Sequence, residues 1–293
     1  MSGLKAIITG ATSGIGLHTL KRLCNSGSFE KIIGLGRDVK NCEEAFNEIK
    51  LLEKNTTIVE FIECDLTKLQ CVREFASTVI QKIPEIDLLV CNAGVMDTPL
   101  VFTNYGVEVQ FATNHLGHFL LTKLLLNNMA PDSRIINISS GMYTKAAEPP
   151  TWKSVHEPPS LEPRGYYAQS KLANCLFTVA LNEHIEKNQE ALPHIKVAAV
   201  RPGFIRNTNL GRYHSQFLRI LATPLIYYFS KDLNFGTDTI VHLTFAPFEE
   251  IESGKLYYDK KVESYTPLVT GDNAKNLWDL SERLLETAEK EVE

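Results

Sequence analysis

Leu4-Lys5-Ala6-Ile7-Ile8-Thr9-Gly10-Ala11-Thr12-Ser13-Gly14-Ile15-Gly16 is the stretch whose reading decides the fold. Leu4 to Thr9 is a short apolar run that suits a strand. A glycine-rich turn follows, and then a helical pattern from Leu17 to Asn25. Strand, glycine turn and helix in that order form a recognisable unit. The glycines let the backbone turn sharply and approach a pyrophosphate. The helix N-terminus supplies free N–H groups and a dipole that favour an anion. The spacing is G-x-x-x-G-x-G, and in this context it points to dinucleotide binding. The same six-residue strand and turn could also be a plain strand–helix connection.

Outward from this unit the pattern repeats. Strands are expected at Lys31–Gly36, Thr57–Glu63, Ile86–Cys91, Arg134–Ser139, Ile195–Val200 and Gly254–Tyr258. Helices are expected at Glu43–Leu52, Leu69–Lys82, Val107–Met129, Tyr166–Glu186, Phe235–Phe245 and Asn273–Glu291. Ile86–Cys91 is almost wholly apolar, as a strand covered on both faces must be. The alternation predicts an α/β fold: a single doubly wound (Rossmann) domain over residues 1–293, its mostly parallel seven-stranded sheet carrying helices on both faces. Two irregular segments interrupt it, residues 142–165 and 204–232, and both read as substrate-pocket insertions. The first carries Pro149, Pro150, Pro158, Pro159 and Pro163 with Trp152; the second contains the apolar run Phe217–Phe229. That run is too short to span a bilayer. It reads first as a lid over a pocket and second as a peripheral membrane contact.

Composition narrows the function. The chain has 293 residues, 44% hydrophobic and 22% charged, which is ordinary for a globular protein. A formal charge of -5 disfavours a nucleic-acid partner, which would require a basic face. The six cysteines, Cys24, Cys42, Cys64, Cys71, Cys91 and Cys175, form no C-x-x-C pair and read as free thiols in a reducing compartment, so the expected location is cytoplasmic. Met1 leads into the first strand within three residues, so no secretory leader is expected. His115 and His118 lie three apart, but no third ligand cluster accompanies them, and no metal is expected.

The chemistry is read from Tyr167-Ala168-Gln169-Ser170-Lys171. On a helix, residues four apart share a face, so the phenol and the ammonium point the same way. A phenol titrates near ~10, and a cation beside it is expected to lower that value. Tyr167 would then trade a proton with a carbonyl oxygen at neutral pH. The end of the second strand bears on the cofactor. Arg37 follows Gly36 there and suits the 2′-phosphate of NADP(H); Asp38 is read as a helix cap, with ribose binding as the alternative. Asp65 could accept from an adenine amino group or cap the next helix.

Thr9-Gly10-Ala11-Thr12-Ser13-Gly14-Ile15-Gly16, Asn92-Ala93-Gly94, Asn114, Ser140, Tyr167-x-x-x-Lys171 and Pro202-Gly203 together resemble the short-chain dehydrogenase/reductase family, in order and spacing, over nearly the whole chain. Asn114-His115-Leu116-Gly117-His118-Phe119, Ser170-Lys171-Leu172-Ala173-Asn174 and Leu277-Trp278-Asp279-Leu280-Ser281 resemble its retinol-dehydrogenase-like branch, and light-dependent protochlorophyllide reductases share several of these residues. The resemblance implies that Tyr167 is the general acid/base and that Lys171 lowers its pKa and holds the nicotinamide ribose. Ser140, rather than Ser139, would hydrogen-bond the substrate oxygen, and Asn114 would hold a relay water. Gly10, Thr12, Ser13, Gly14, Ile15 and Gly16 would line the pyrophosphate, and Arg37 the 2′-phosphate. Asp65 and Leu66 would flank the adenine, with Asn92, Ala93 and Gly94 along the cofactor. Pro202, Gly203 and Thr208 would contact the nicotinamide end.

The resulting expectation is an NADP(H)-dependent oxidoreductase that interconverts a carbonyl and an alcohol on a small hydrophobic substrate, retinoid- or steroid-like substrates included. A homo-oligomer is compatible with the resemblance. Two other readings stand beside it: a cofactor-binding regulatory protein of the same fold, and a ring reductase like the protochlorophyllide enzymes.

Overall fold

The computed structural model describes residues 3–52, 56–157, 163–205 and 230–290. The first half alternates strictly: β1 (Leu4–Thr9), α1 (Gly14–Ser26), β2 (Phe29–Gly36), α2 (Val39–Lys50), β3 (Ile58–Glu63), α3 (Leu69–Lys82) and β4 (Ile86–Cys91). A single turn, α4 (Val109–Phe111), runs through a π-helical turn (Ala112–Leu116) into α5 (Gly117–Leu125). Then come β5 (Met129–Ile138), α6 (Trp152–His156), α7 (Pro163–Lys187), β6 (Ile195–Val200), α8 (Leu233–Phe245), β7 (Lys255–Tyr258), β8 (Lys261–Glu263) and α9 (Gly271–Lys290).

The sheet order is β3-β2-β1-β4-β5-β6-β7-β8. Seven strands are parallel, and β8 pairs antiparallel with β7. Among the described residues the sheet thus has eight strands where seven were expected. The chain direction across the sheet reverses between β1 and β4, which opens a crevice at their carboxyl ends. The inner strands are apolar because helices cover both faces. On one face α1, α2 and α8 bury Ile15, Leu20, Ile49 and Leu243 against Ile8, Ile32 and Val90. On the other, α3, α5, α7 and α9 bury Phe75, Phe119, Phe177 and Leu277 against Ile7, Ile33 and Leu89.

Local bonds shape residues 142–157 of the first insertion. Ser140 caps a 3-10 turn at Gly141–Lys145. Thr151 and Ser154 form a reciprocal capping box that starts α6. Trp152 stacks on His156 at 4.1 Å between ring centroids, and the Arg283 guanidinium of α9 lies 4.1 Å from the Trp152 ring centroid. The segment 206–229, and with it Phe217–Phe229 and Thr208, lies outside the described residues. Among the described residues no helix is long and apolar enough to cross a membrane.

Candidate active site

The described residues among those singled out from the sequence gather at the carboxyl ends of β1 to β6. Gly10, Thr12 and Ser13 form the turn after β1, and Gly14, Ile15 and Gly16 open α1. Gly10 and Gly14 have φ of 63° and 53°, a left-handed conformation that a Cβ would strain. Ser13 is the N-cap residue of α1 but its side chain makes no cap bond, and the first turn carries no acidic residue. The N-terminus of α1 thus keeps its dipole and its backbone donors uncompensated by side chains. That is the arrangement an anionic pyrophosphate fits.

Arg37 is exposed immediately beyond β2. Asp38 caps α2, its Oδ1 accepting from the Asn41 backbone N–H at 3.0 Å. That bond fixes Asp38 in the capping role. Asp65 follows β3, and its Oδ1 accepts from the N–H and hydroxyl of Thr67 at 3.0 and 2.8 Å. The N-cap of α3 is Lys68, so the capping role read for Asp65 is corrected: its bonds close the turn before the helix. Leu66 is buried beside it.

Asn92, Ala93 and Gly94 follow β4. The Asn92 side chain donates to the carbonyls of Thr9 and Gly10 at 2.8 and 3.3 Å, bracing the glycine turn. Thr9, which the sequence reading assigned no role, ends β1 with a hydroxyl that accepts from the N–H groups of Asn92 and Ala93 at 2.8 and 2.9 Å. Gly94 passes the catalytic candidates closely: a Cβ there would lie 3.3 Å from Asn114 Oδ1 and 3.4 Å from Lys171 Nζ.

Asn114 sits in the π-helical turn and is fully buried. Its side chain accepts from Val95 N at 2.8 Å and donates to Val95 O at 3.0 Å and to Ser170 Oγ at 2.9 Å. Ser139 and Ser140 at the end of β5 separate cleanly. Ser139 Oγ donates to the Lys171 carbonyl at 2.8 Å, a purely structural bond. Ser140 is half-buried, its Oγ accepts from the Met142 N–H at 3.2 Å, and its hydroxyl acts to lower the pKa of the Tyr167 phenol. Pro202 and Gly203 follow β6. Arg201, just before them, is held by Glu263 of β8 through a pair of hydrogen bonds and lies 3.6 Å from the Tyr258 ring centroid.

Tyr167 and Lys171 share one face of α7, as their spacing requires, and both are buried. Their electrostatics differ from the expectation. Burial pushes the Tyr167 phenol up to about 12, its bond with Ser140 pulls the other way, and the charge of Asp97 adds to the rise. Burial pushes the Lys171 ammonium down to about 8. Nζ donates to the Ile138 carbonyl at 2.9 Å and lies 5.7 Å from the Tyr167 ring centroid. Desolvation of the phenolate outweighs the neighbouring cation, so the pair alone does not acidify the phenol. Asp97, also unassigned from the sequence, adopts φ of 52° and pairs with Arg164 at 3.5 Å, three residues before Tyr167.

A parallel sheet whose switch point holds an uncapped glycine turn, with a Ser–Tyr–Lys group across the crevice, defines a class of Rossmann-type oxidoreductase domains. The comparisons agree. Residues 5–218 match the family model described as short chain dehydrogenase. The chain is 36% identical over 299 residues to retinol dehydrogenase 14 of Mus musculus, covering 96% of this chain and 86% of that protein. It is 33% identical over 293 residues to the short-chain dehydrogenase TIC 32 A, chloroplastic, of Brassica napus, covering 97% and 89%. Among solved structures, an uncharacterized protein from Mycobacterium Paratuberculosis superposes with a TM-score of 0.75 at 28% identity, covering 97% of this chain and 94% of that one. The chain belongs to the short-chain dehydrogenase/reductase family.

Proposed function

We propose that the protein is an NADP(H)-dependent oxidoreductase that interconverts a carbonyl and an alcohol on a hydrophobic substrate. The observation that carries this reading is the buried Tyr167–Lys171 pair on one face of α7, with Gly94 against the Lys171 ammonium and the Ser140 hydroxyl acting on the phenol. The similarity to retinol dehydrogenase 14 supports the substrate class. The free cysteines, five of the six buried, fit a reducing compartment such as the cytoplasm.

NADP(H) bound in the crevice supplies the hydride chemistry. The residues that would hold it are the turn from Gly10 to Gly16, Arg37 at the 2′-phosphate, Asp65 and Leu66 at the adenine, Asn92 to Gly94 along its length, and Pro202 and Gly203 at the nicotinamide end. In the reducing direction the Tyr167 hydroxyl gives its proton to the substrate oxygen, and the protonated phenol that burial enforces is the state this step requires. Ser140 Oγ hydrogen-bonds the same oxygen and steadies the charge that develops on it. The Lys171 ammonium favours the phenolate left behind. Asn114 holds Val95 and Ser170 in place around this group. The described stretch 142–157, with α6, would supply one wall of the pocket.

A panel of medium-chain and retinoid aldehydes and steroid ketones, followed by loss of NADPH absorbance, tests the reading. Turnover of at least one apolar carbonyl is expected. Tyr167→Phe should lower kcat by about 100-fold or more while NADPH affinity stays within about threefold. Tight NADPH binding with no turnover on any member, or full activity in Tyr167→Phe, would overturn it.

A further inference from the structure

His118 is fully buried on α5, four residues after Asn114. Its Nδ1 lies 3.0 Å from the Asn114 carbonyl oxygen, and its Nε2 lies 2.7 Å from Thr9 Oγ1. A carbonyl only accepts, so Nδ1 carries the ring proton and Nε2 presents a lone pair. The Thr9 hydroxyl therefore donates to Nε2. Its own lone pairs are then turned toward the N–H groups of Asn92 and Ala93. The circuit closes through the Asn114 side chain, which clamps both the N–H and the carbonyl of Val95. Hydrogen bonds thus run in a ring from Thr9 to Asn92 and Ala93, along the chain to Val95, across to Asn114, through His118 and back to Thr9. Gly94 lies on this ring, against the Lys171 ammonium.

The groups that act on the imidazole are few. Thr9 faces it from β1 and Asn114 from its own helix, and the charges of Lys171 from α7 and of His115 bear on it. Burial pushes His118 down to about 4, and Lys171 pushes in the same direction. The ring is therefore neutral across the working pH range, and its tautomer is fixed by its two partners.

We propose that His118 is a positioning residue for the hydride-transfer reaction: by locking the Thr9 hydroxyl and the Asn114 carbonyl, it sets the segment Asn92–Val95 against Lys171. This rests on the reading of the chain as an NADP(H)-dependent enzyme. It assigns the imidazole to the cofactor side of the site, so its loss should weaken cofactor use and leave substrate recognition alone.

The test is steady-state kinetics on three variants, with NADPH dissociation constants from fluorescence as an activity-independent readout. His118→Phe fills the same space without either bond. It should raise the NADPH KM and dissociation constant about tenfold, with the carbonyl KM at saturating NADPH unchanged. His118→Gln can donate and accept and should return both to within about threefold of the wild type. Thr9→Val loses the hydroxyl and with it the two bonds to Asn92 and Ala93 as well as the bond to His118, so it should show the His118→Phe signature at least as strongly. The double variant should be no worse than Thr9→Val alone.

Wild-type NADPH binding in a folded His118→Phe protein would overturn the proposal. So would multiplicative losses in the double variant, or equal losses in His118→Phe and His118→Gln that track melting temperature. Should His118→Phe not fold, wild-type NADPH affinity in Thr9→Val is the overturning result. A wild-type protein that binds NADPH but reduces no carbonyl would instead count against the functional reading, and the dissociation constants would still decide the role of His118.

Discussion

Lys171 carries a cost that function explains and stability does not. Its ammonium is buried and held down to about 8, a displacement worth about 3 kcal/mol of penalty on the charged form. The carbonyl it donates to, Ile138 O, also accepts from Asn174 Nδ2 at 3.0 Å, so removing the lysine leaves that oxygen partnered. Lys171→Met should therefore abolish activity yet raise stability by about 2 kcal/mol at pH 7. The sign with pH follows from the lowered value. The penalty is complete below pH 8 and fades as pH rises from 8 towards 10.5, so the gain in Lys171→Met should shrink over that range. Denaturant melts at pH 7 and pH 10 check this; a gain that grows with pH would contradict it. The four-residue spacing of Tyr167 and Lys171 was legible in the sequence. The direction in which their titrations move was not, because desolvation depends on what packs around α7.

At the scale of elements, the segment expected as one helix from Val107 to Met129 is continuously helical from Val109 to Asn128, with a π-helical turn between α4 and α5 and a 3-10 turn at its end. Glu108 starts it. One carboxylate oxygen accepts from the N–H groups of Gln110 and Phe111, both at 2.9 Å, while its own N–H donates to the Val155 carbonyl of α6 at 2.9 Å. The cap thus ties the helix of Asn114 to α6. Burial pushes this carboxyl up to about 7 against those two bonds. For an acid raised in the folded state, the associated stability is present below the unfolded value near 4.5 and is lost as pH climbs through 7. Glu108→Gln removes the titration. Its stability relative to wild type should rise by about 2 kcal/mol between pH 5 and pH 8. A difference between the two proteins that stays flat over that interval would refute the assignment. The strand β8 was missed for a related reason: its hairpin turns on Asp259 and Lys260, both at positive φ, without the glycine or asparagine that marks such turns in a sequence.

Across the whole molecule, the crevice runs from Arg37 beyond β2, past the glycine turn after β1, to Ser140 beyond β5 and Pro202 beyond β6. Its two ends lie on opposite sides of the switch point, so they should be separable. Arg37→Ala should erase most of a preference for NADPH over NADH, by about tenfold or more, with kcat at saturating cofactor nearly unchanged. An unaltered preference would remove Arg37 from the 2′-phosphate role. The sequence alone determined the alternation of strands and helices, the glycine turn and the spacing of Tyr167 and Lys171. These are properties of neighbours along the chain, set by periodicity and backbone freedom. Tertiary structure alone decided that Ser139 is spent on a backbone carbonyl while Ser140 meets the phenol. It also decided that burial, not the adjacent cation, governs that phenol, and that Thr9, Asn92, Asn114 and His118 close one circuit. Apart from the His118–Asn114 bond within one helix, these partners lie 19 to 109 residues apart, and only the packed sheet brings them together.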